Sequence, residues 1–232
     1  MYLKDIMRGE SGMKKHLGIG VGLLVLFLVF TVLVKTVDVQ PIGRQGTDVG
    51  FASVNEDFHS FFGESKTVYK VTEVVGYIGL AAAGIFALIG FLQLVKRKSL
   101  CKVDRDILLL GGLYAVLLVC YILFEKIVIN YRPPFCAEDA LEASFPSTHT
   151  LMLLGIMAST VMQIQYRLKD TKLRVFCSSL CGVIAFVVIV GRAVCGVHWL
   201  TDIIGGLLLS AALAWIYYAV AFAAKKEEKS ES

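Results

Sequence analysis

The chain has 232 residues, of which 56% are hydrophobic and 18% charged, with a net charge of +4; its mean hydropathy is +0.70. These values exclude an ordinary soluble domain, whose surface needs more charge, and fit a polytopic membrane protein. The positive balance calls for no nucleic-acid partner, because the basic residues cluster where anionic inner-leaflet lipids would meet them.

Six apolar runs, near 17–37, 73–95, 107–129, 147–166, 175–191 and 199–224, have the length expected of membrane-crossing helices. The first follows Lys14 and Lys15, as the core of a signal peptide would. Its apolar stretch is long, however, and no small-x-small cleavage site follows "VKTVDVQ", so it is expected as an uncleaved anchor.

Residues 38–72 form the one long connection. Within it, "SVNEDFHSFFG" is expected to form a short amphipathic helix near 54–62. Ser53 and Glu56 have the spacing of a capping box, and Gly63 supplies a stop. Val54, Phe58, Phe61 and Phe62 share one face. Such a helix either guides lipid toward a site or packs on the bundle, and both readings stay open. His59 falls on its polar side and reads as a solvated histidine.

With the N-terminus inside, the inner segments are 1–16, 96–106, 167–174 and the tail from Lys225, and they hold 16 of the 23 Lys and Arg residues. The positive-inside rule therefore gives both termini inside. The expected fold is all-α: one six-span membrane domain in the cell membrane. The compact loops, and outer segments without N-x-[ST], suit a bacterial plasma membrane.

Of the six cysteines, Cys120, Cys177 and Cys181 fall in apolar runs as small hydrophobic residues. Cys136 and Cys195 both fall outside, where a disulfide between them is open. No spacing suggests a zinc site.

Three segments carry unusual chemistry: "EKIVINYRPP" (125–134), "SFPSTHT" (144–150) and "GRAVCGVHWLTD" (191–202). The third and fifth spans end outside, and the fourth and sixth begin there. All three segments therefore meet at one extracytoplasmic face. His198 and Asp202, four apart on a helix, share a side; the carboxylate can fix the ring tautomer and leave the other nitrogen free to attack. Arg132 and Arg192 offer planar cationic forks for a phosphoryl group. Pro146 and Ser147 open the fourth span, placing a helix N-terminus beside His149. Together these groups suit phosphoryl transfer without metal or cofactor, with one histidine as nucleophile and the other as acid and base.

These residues resemble the type 2 phosphatidic acid phosphatase superfamily, whose pattern is K-x6-R-P, then P-S-G-H, then S-R-x5-H-x3-D. This chain has Arg132-Pro133, then Pro146-Ser147-Thr148-His149, then Gly191-Arg192, His198 and Asp202. The resemblance implies that His198 forms a phosphohistidine and Asp202 orients it. It also implies that His149 protonates the leaving oxygen and later activates water. Arg132, Arg192, Ser147 and the backbone N–H of Thr148 would hold the phosphate.

Three positions depart from the pattern. Thr148 replaces a glycine and Gly191 a serine. Glu125 stands where the lysine belongs, with Lys126 one residue late, about 100° round a helix. Either Lys126 reaches inward as a further phosphate ligand, or the site lacks that cation.

The resemblance thus implies hydrolysis of a phosphomonoester or pyrophosphate on a membrane lipid. Undecaprenyl diphosphate, phosphatidylglycerol phosphate, phosphatidic acid and diacylglycerol pyrophosphate are the candidates. The alternatives are a lipid phosphotransferase using the same site, and a non-catalytic phospholipid-binding or transport protein.

Overall fold

The computed structural model describes residues 2–134 and 141–223. Among these, seven α-helices follow in order: α1 Tyr2–Thr36, α2 Ala52–Phe62, α3 Lys66–Arg97, α4 Arg105–Lys126, α5 Thr148–Arg167, α6 Thr171–Val194 and α7 Leu200–Tyr218. A π-helical turn, Ala219–Ala223, continues α7.

Five helices, namely α1, α3, α4, α6 and α7 with its π turn, are long and apolar enough to cross a membrane. In α1, α3, α4 and α6 the apolar side chains mostly face outward, with only 6% of the most apolar stretch of α3 buried and 11% of that of α6, whereas half of that of α7 is buried. Hydrocarbon tails are the medium in which such a surface is stable, and helices satisfy their own backbone groups there. The chain is an all-helical, polytopic membrane protein.

The fourth apolar run, 147–166, forms α5, which is not among the five. The reason lies in its composition: Thr148, Thr150, Ser159, Thr160 and Gln163 are all buried along it. Helices α3, α4, α6 and α7 each pack against α5. A helix enclosed by protein tolerates polar side chains that a lipid-facing one does not. The third run also differs from expectation, because α4 ends at Lys126, short of residue 129.

Helix α1 lies along α7, and its Phe27 stacks on Phe145 with ring centroids 6.1 Å apart. Near the C-terminal end of α5, Gln163 donates to the hydroxyl of Tyr217 at 2.7 Å and to Asp106 at 3.2 Å. The hydroxyl of Tyr217 donates in turn to the backbone oxygen of Asp106 at 3.1 Å, and Arg167 pairs with the Asp106 carboxylate. This network ties α4, α5 and α7 together about 20–30 Å from the N-terminus of α5, given the 1.5 Å rise per residue from Thr148 to Gln163 and Arg167.

Helix α2 starts one residue before Ser53, so the Ser53–Glu56 capping box does not form. Phe51 is the N-cap and supplies no side-chain bond; instead the Asp38 carboxylate, just beyond α1, accepts from the Ser53 N–H at 2.7 Å. That bond holds the Asp38 carboxyl below the usual carboxylate range. Gly63 does end the helix, at a φ of 66°. One side of α2 is anchored: buried Asn55 donates to Thr201 Oγ1 at 3.0 Å and accepts from the Thr201 N–H at 3.2 Å. Thr201 lies in the first turn of α7, where backbone N–H groups have no intrahelical acceptor. On the other side Val54, Phe61 and Phe62 are exposed.

Candidate active site

The site is assembled where α5 and α7 begin. A β-carbon on Gly205 would fall 2.6 Å from the ring of Phe145, and one on Gly206 would fall 2.9 Å from the backbone oxygen of Ser147. The paired glycines thus let the 145–147 segment lie directly on α7. Ser147 caps α5, its Oγ accepting from the Thr150 N–H at 3.4 Å, and its own N–H donates to the backbone oxygen of Asp202 at 2.9 Å. Thr148 opens α5, with its amide in the turn that lacks intrahelical acceptors.

His198 and Asp202 are both buried. Nδ1 of His198 lies 3.6 Å from Asp202 Oδ2, a separation longer than a hydrogen bond. Asp202 is fixed from two further directions: Oδ2 accepts from the Trp199 N–H at 2.8 Å and from the Ser144 hydroxyl. Ser144 Oγ also lies 3.4 Å from His198 Nδ1. The opposite ring nitrogen, Nε2, is buried and has no hydrogen-bond partner among the described residues. The ring is therefore held at one nitrogen and open at the other. Burial, and then the charges of Arg132 and Arg192, hold the His198 imidazole well below the usual histidine range, so the neutral, nucleophilic form prevails at neutral pH.

Arg192, near the end of α6, is fully buried. Its Nη2 donates to Glu73 Oε1 at 3.0 Å, and its guanidinium lies over the Tyr69 ring, 5.1 Å from the centroid. Nε and Nη1 are buried with no partner among the described residues. Arg132 is carried by a short antiparallel bridge between Tyr131 and Ala143, where the Arg132 N–H donates to Glu142 and the Ser144 N–H to Asn130. Its guanidinium pairs with Glu142 at 3.1 Å. The same bridge delivers Ser144 to Asp202.

His149 Nε2 lies 2.8 Å from Glu73 Oε1. His149 and Glu73 stand at one end of a cleft of about 290 Å³, whose other walls include Tyr77, Leu118, Met152 and Ile156. Glu125 and Lys126 are both exposed in the last turn of α4, and the cations that act on His198 are Arg132 and Arg192. Cys195 is buried, and burial raises its thiol pKa; Cys136 lies outside the described residues.

Two residues at this site carried no motif. Ser144 stands in no recognisable spacing. Glu73 had a signal that could have been read: a carboxylate at the edge of an otherwise apolar run, where ionisable groups are costly without a partner or a function.

Residues 107–226, more than half of the chain, match the model of the PAP2 superfamily. The chain belongs to the PAP2 superfamily. Its fold is similar to the crystal structure of the first transmembrane PAP2 type phosphatidylglycerolphosphate phosphatase from Bacillus subtilis. The TM-score is 0.63 at 20% identity, covering 89% of this chain and 96% of that one. A weaker likeness is to Aquifex aeolicus LpxE, with a TM-score of 0.43 at 21% identity, covering 72% of this chain and 95% of that one. No curated protein matches by sequence.

Proposed function

We propose that the protein hydrolyses a phosphomonoester or pyrophosphate of a membrane lipid at the extracytoplasmic face, through a phosphohistidine on His198. The observation that carries this reading is the state of His198: Nδ1 turned toward Asp202, Nε2 buried without a partner among the described residues. A neutral imidazole so held presents its lone pair to phosphorus.

In the first step Nε2 attacks phosphorus and the bond to the leaving oxygen breaks, with His149 donating a proton to that oxygen. In the second, His149 takes a proton from water, which attacks the phosphohistidine and releases inorganic phosphate. Arg132, Arg192, Ser147 and the Thr148 amide hold the phosphoryl oxygens, and no metal takes part. Lys126 is a further phosphate ligand only if its side chain turns inward from α4.

An amphiphilic substrate is favoured by the largely apolar cleft that ends at His149 and Glu73. In this reading α5 crosses the membrane with the other five, both termini lie inside, and the site faces outward. Undecaprenyl diphosphate, phosphatidic acid and phosphatidylglycerol phosphate are the substrates to compare; the last is named for the Bacillus subtilis protein of similar fold, and fold alone does not select among them.

The test is phosphate release from each of these lipids by detergent-purified protein in EDTA. Release that survives chelation ranks the substrates and supports the mechanism. Activity that requires an added divalent ion, or a lipid acceptor that captures the phosphate, contradicts it.

A further inference from the structure

Glu73 has no part in the mechanism above, yet it contacts two of the residues that do. One oxygen, Oε1, lies 2.8 Å from His149 Nε2 and 3.0 Å from Arg192 Nη2. Those distances are hydrogen-bond lengths, and these are two of the groups assigned to the phosphate and its leaving oxygen. A phosphoryl oxygen bound by the same pair would have to stand where Oε1 stands. The remaining polar atoms of Arg192, Nε and Nη1, are buried without a partner among the described residues, as is His149 Nδ1.

A second observation shows that the contact is built into the packing. A β-carbon on Gly191 would fall 2.3 Å from Thr72 Cγ2, so α3 and α6 approach there more closely than a larger residue at 191 would allow without a shift. Glu73 and Arg192 are the next residues on the two helices. One of the three positions that depart from the family pattern thus stands at the close helix contact beside which the Glu73 carboxylate meets the buried guanidinium.

We propose that Glu73 is the resting occupant of the phosphoryl-binding site. Its carboxylate holds Arg192 and His149 as a phosphate oxygen would, gives way to the substrate phosphate, and returns when inorganic phosphate leaves. This rests on the reading of the site as phosphate-binding. Glu73 lines the apolar cleft, and its side chain is 32% exposed, so it has room to swing aside. A carboxylate in this place competes with free phosphate, which brings charge but no lipid tail. A lipid phosphate keeps the binding contributed by its chains.

The experiment is equilibrium binding of radiolabelled inorganic phosphate to the full-length protein in detergent and EDTA, comparing wild type with Glu73→Gln and Glu73→Ala. The first variant keeps the shape and removes the charge; the second removes the occupant. Both are expected to bind phosphate roughly tenfold more tightly, since a like charge at contact distance is gone. A residue that merely braced Arg192 would give the opposite change. Unchanged or weaker phosphate binding in Glu73→Gln overturns the proposal. Wild-type turnover of lipid phosphate, measured in the same preparation, separates the two readings. Tighter binding in both variants without turnover keeps the resting occupant and overturns the activity; turnover with unchanged binding does the reverse.

Discussion

Gly191 on α6 meets Thr72 on α3 so closely that a β-carbon on Gly191 would lie 2.3 Å from Thr72 Cγ2. The adjoining residues, Arg192 and Glu73, pair at 3.0 Å, so the close contact lies directly beside a buried cation and its partner. Gly191→Ser, although it restores the residue of the family pattern, should push the helices apart. The expected cost is about 1–3 kcal/mol of stability, together with a lower kcat/KM. Adding Thr72→Ser, which removes the obstructing methyl, should recover part of both. Thermal unfolding and phosphate release would show it; a single variant as stable and active as wild type contradicts the packing argument.

Asp202 meets His198, Ser144 and the Trp199 amide in a fully buried setting. Asp202→Asn keeps the shape but removes the negative charge that stabilises and orients the ring, so kcat should fall by about 10²–10⁴-fold. Ser144→Ala removes one donor from the Asp202 carboxylate and should lower kcat by roughly tenfold. Steady-state kinetics on the preferred lipid measure both. A Ser144→Ala enzyme with unchanged kcat would show that Asp202 needs no support from the bridge segment.

Asn55 connects α2 to the first turn of α7 through two hydrogen bonds with Thr201. Replacing it with alanine leaves the Thr201 N–H buried without its acceptor, at a cost of about 1–3 kcal/mol. Because Asp202 follows Thr201 directly, kcat should fall as well. Hydrogen exchange of the α7 N-terminus would report the loosening, and no change in exchange or activity would make α2 a passive surface helix.

Burial, Arg132 and Arg192 all favour the neutral form of His198. The sign follows: as pH falls through the ordinary histidine range, the unfolded chain takes up a proton that the folded site refuses, so this group lowers stability in acid rather than raising it. Histidine NMR, with His198→Ala for assignment, should show no titration of His198 between about pH 5.5 and 7.5. A midpoint within that window contradicts the assignment.

At the far end of the bundle, Arg167 pairs with buried Asp106. Arg167→Ala strands that carboxylate and should cost about 3 kcal/mol, while kcat, set some 30 Å away, stays near wild type. A large loss of kcat without loss of stability would mean that the two ends are coupled.

Much of this was legible in the sequence. Hydropathy located helices at each of the six apolar runs because lipid-facing helices are apolar around most of their circumference. It could not show that α5 is the enclosed one, since burial by protein and burial by lipid select similar runs; only the threonines, serines and Gln163 along it hint at the difference. The Ser53–Glu56 spacing was a poor guide, because the acceptor that starts α2 is Asp38, supplied by a different helix end. Motif spacing singled out Arg192, His198 and Asp202 as candidates because their mutual register is local, whereas His149 comes from a separate segment. Glu73 and Ser144 come into place only through helix–helix contact at Gly191 and through the Tyr131–Ala143 bridge, and neither is a local property.

The most direct test of the central claim is to trap the intermediate. Protein mixed briefly with lipid whose phosphate is radiolabelled, then quenched in base where phosphohistidine survives, can be digested and its labelled peptide identified by mass spectrometry. The expected result is label on the peptide containing His198, absent from His198→Ala, with phosphate release lost in the same variant. Release that continues in His198→Ala, or label carried by another residue, would contradict the mechanism.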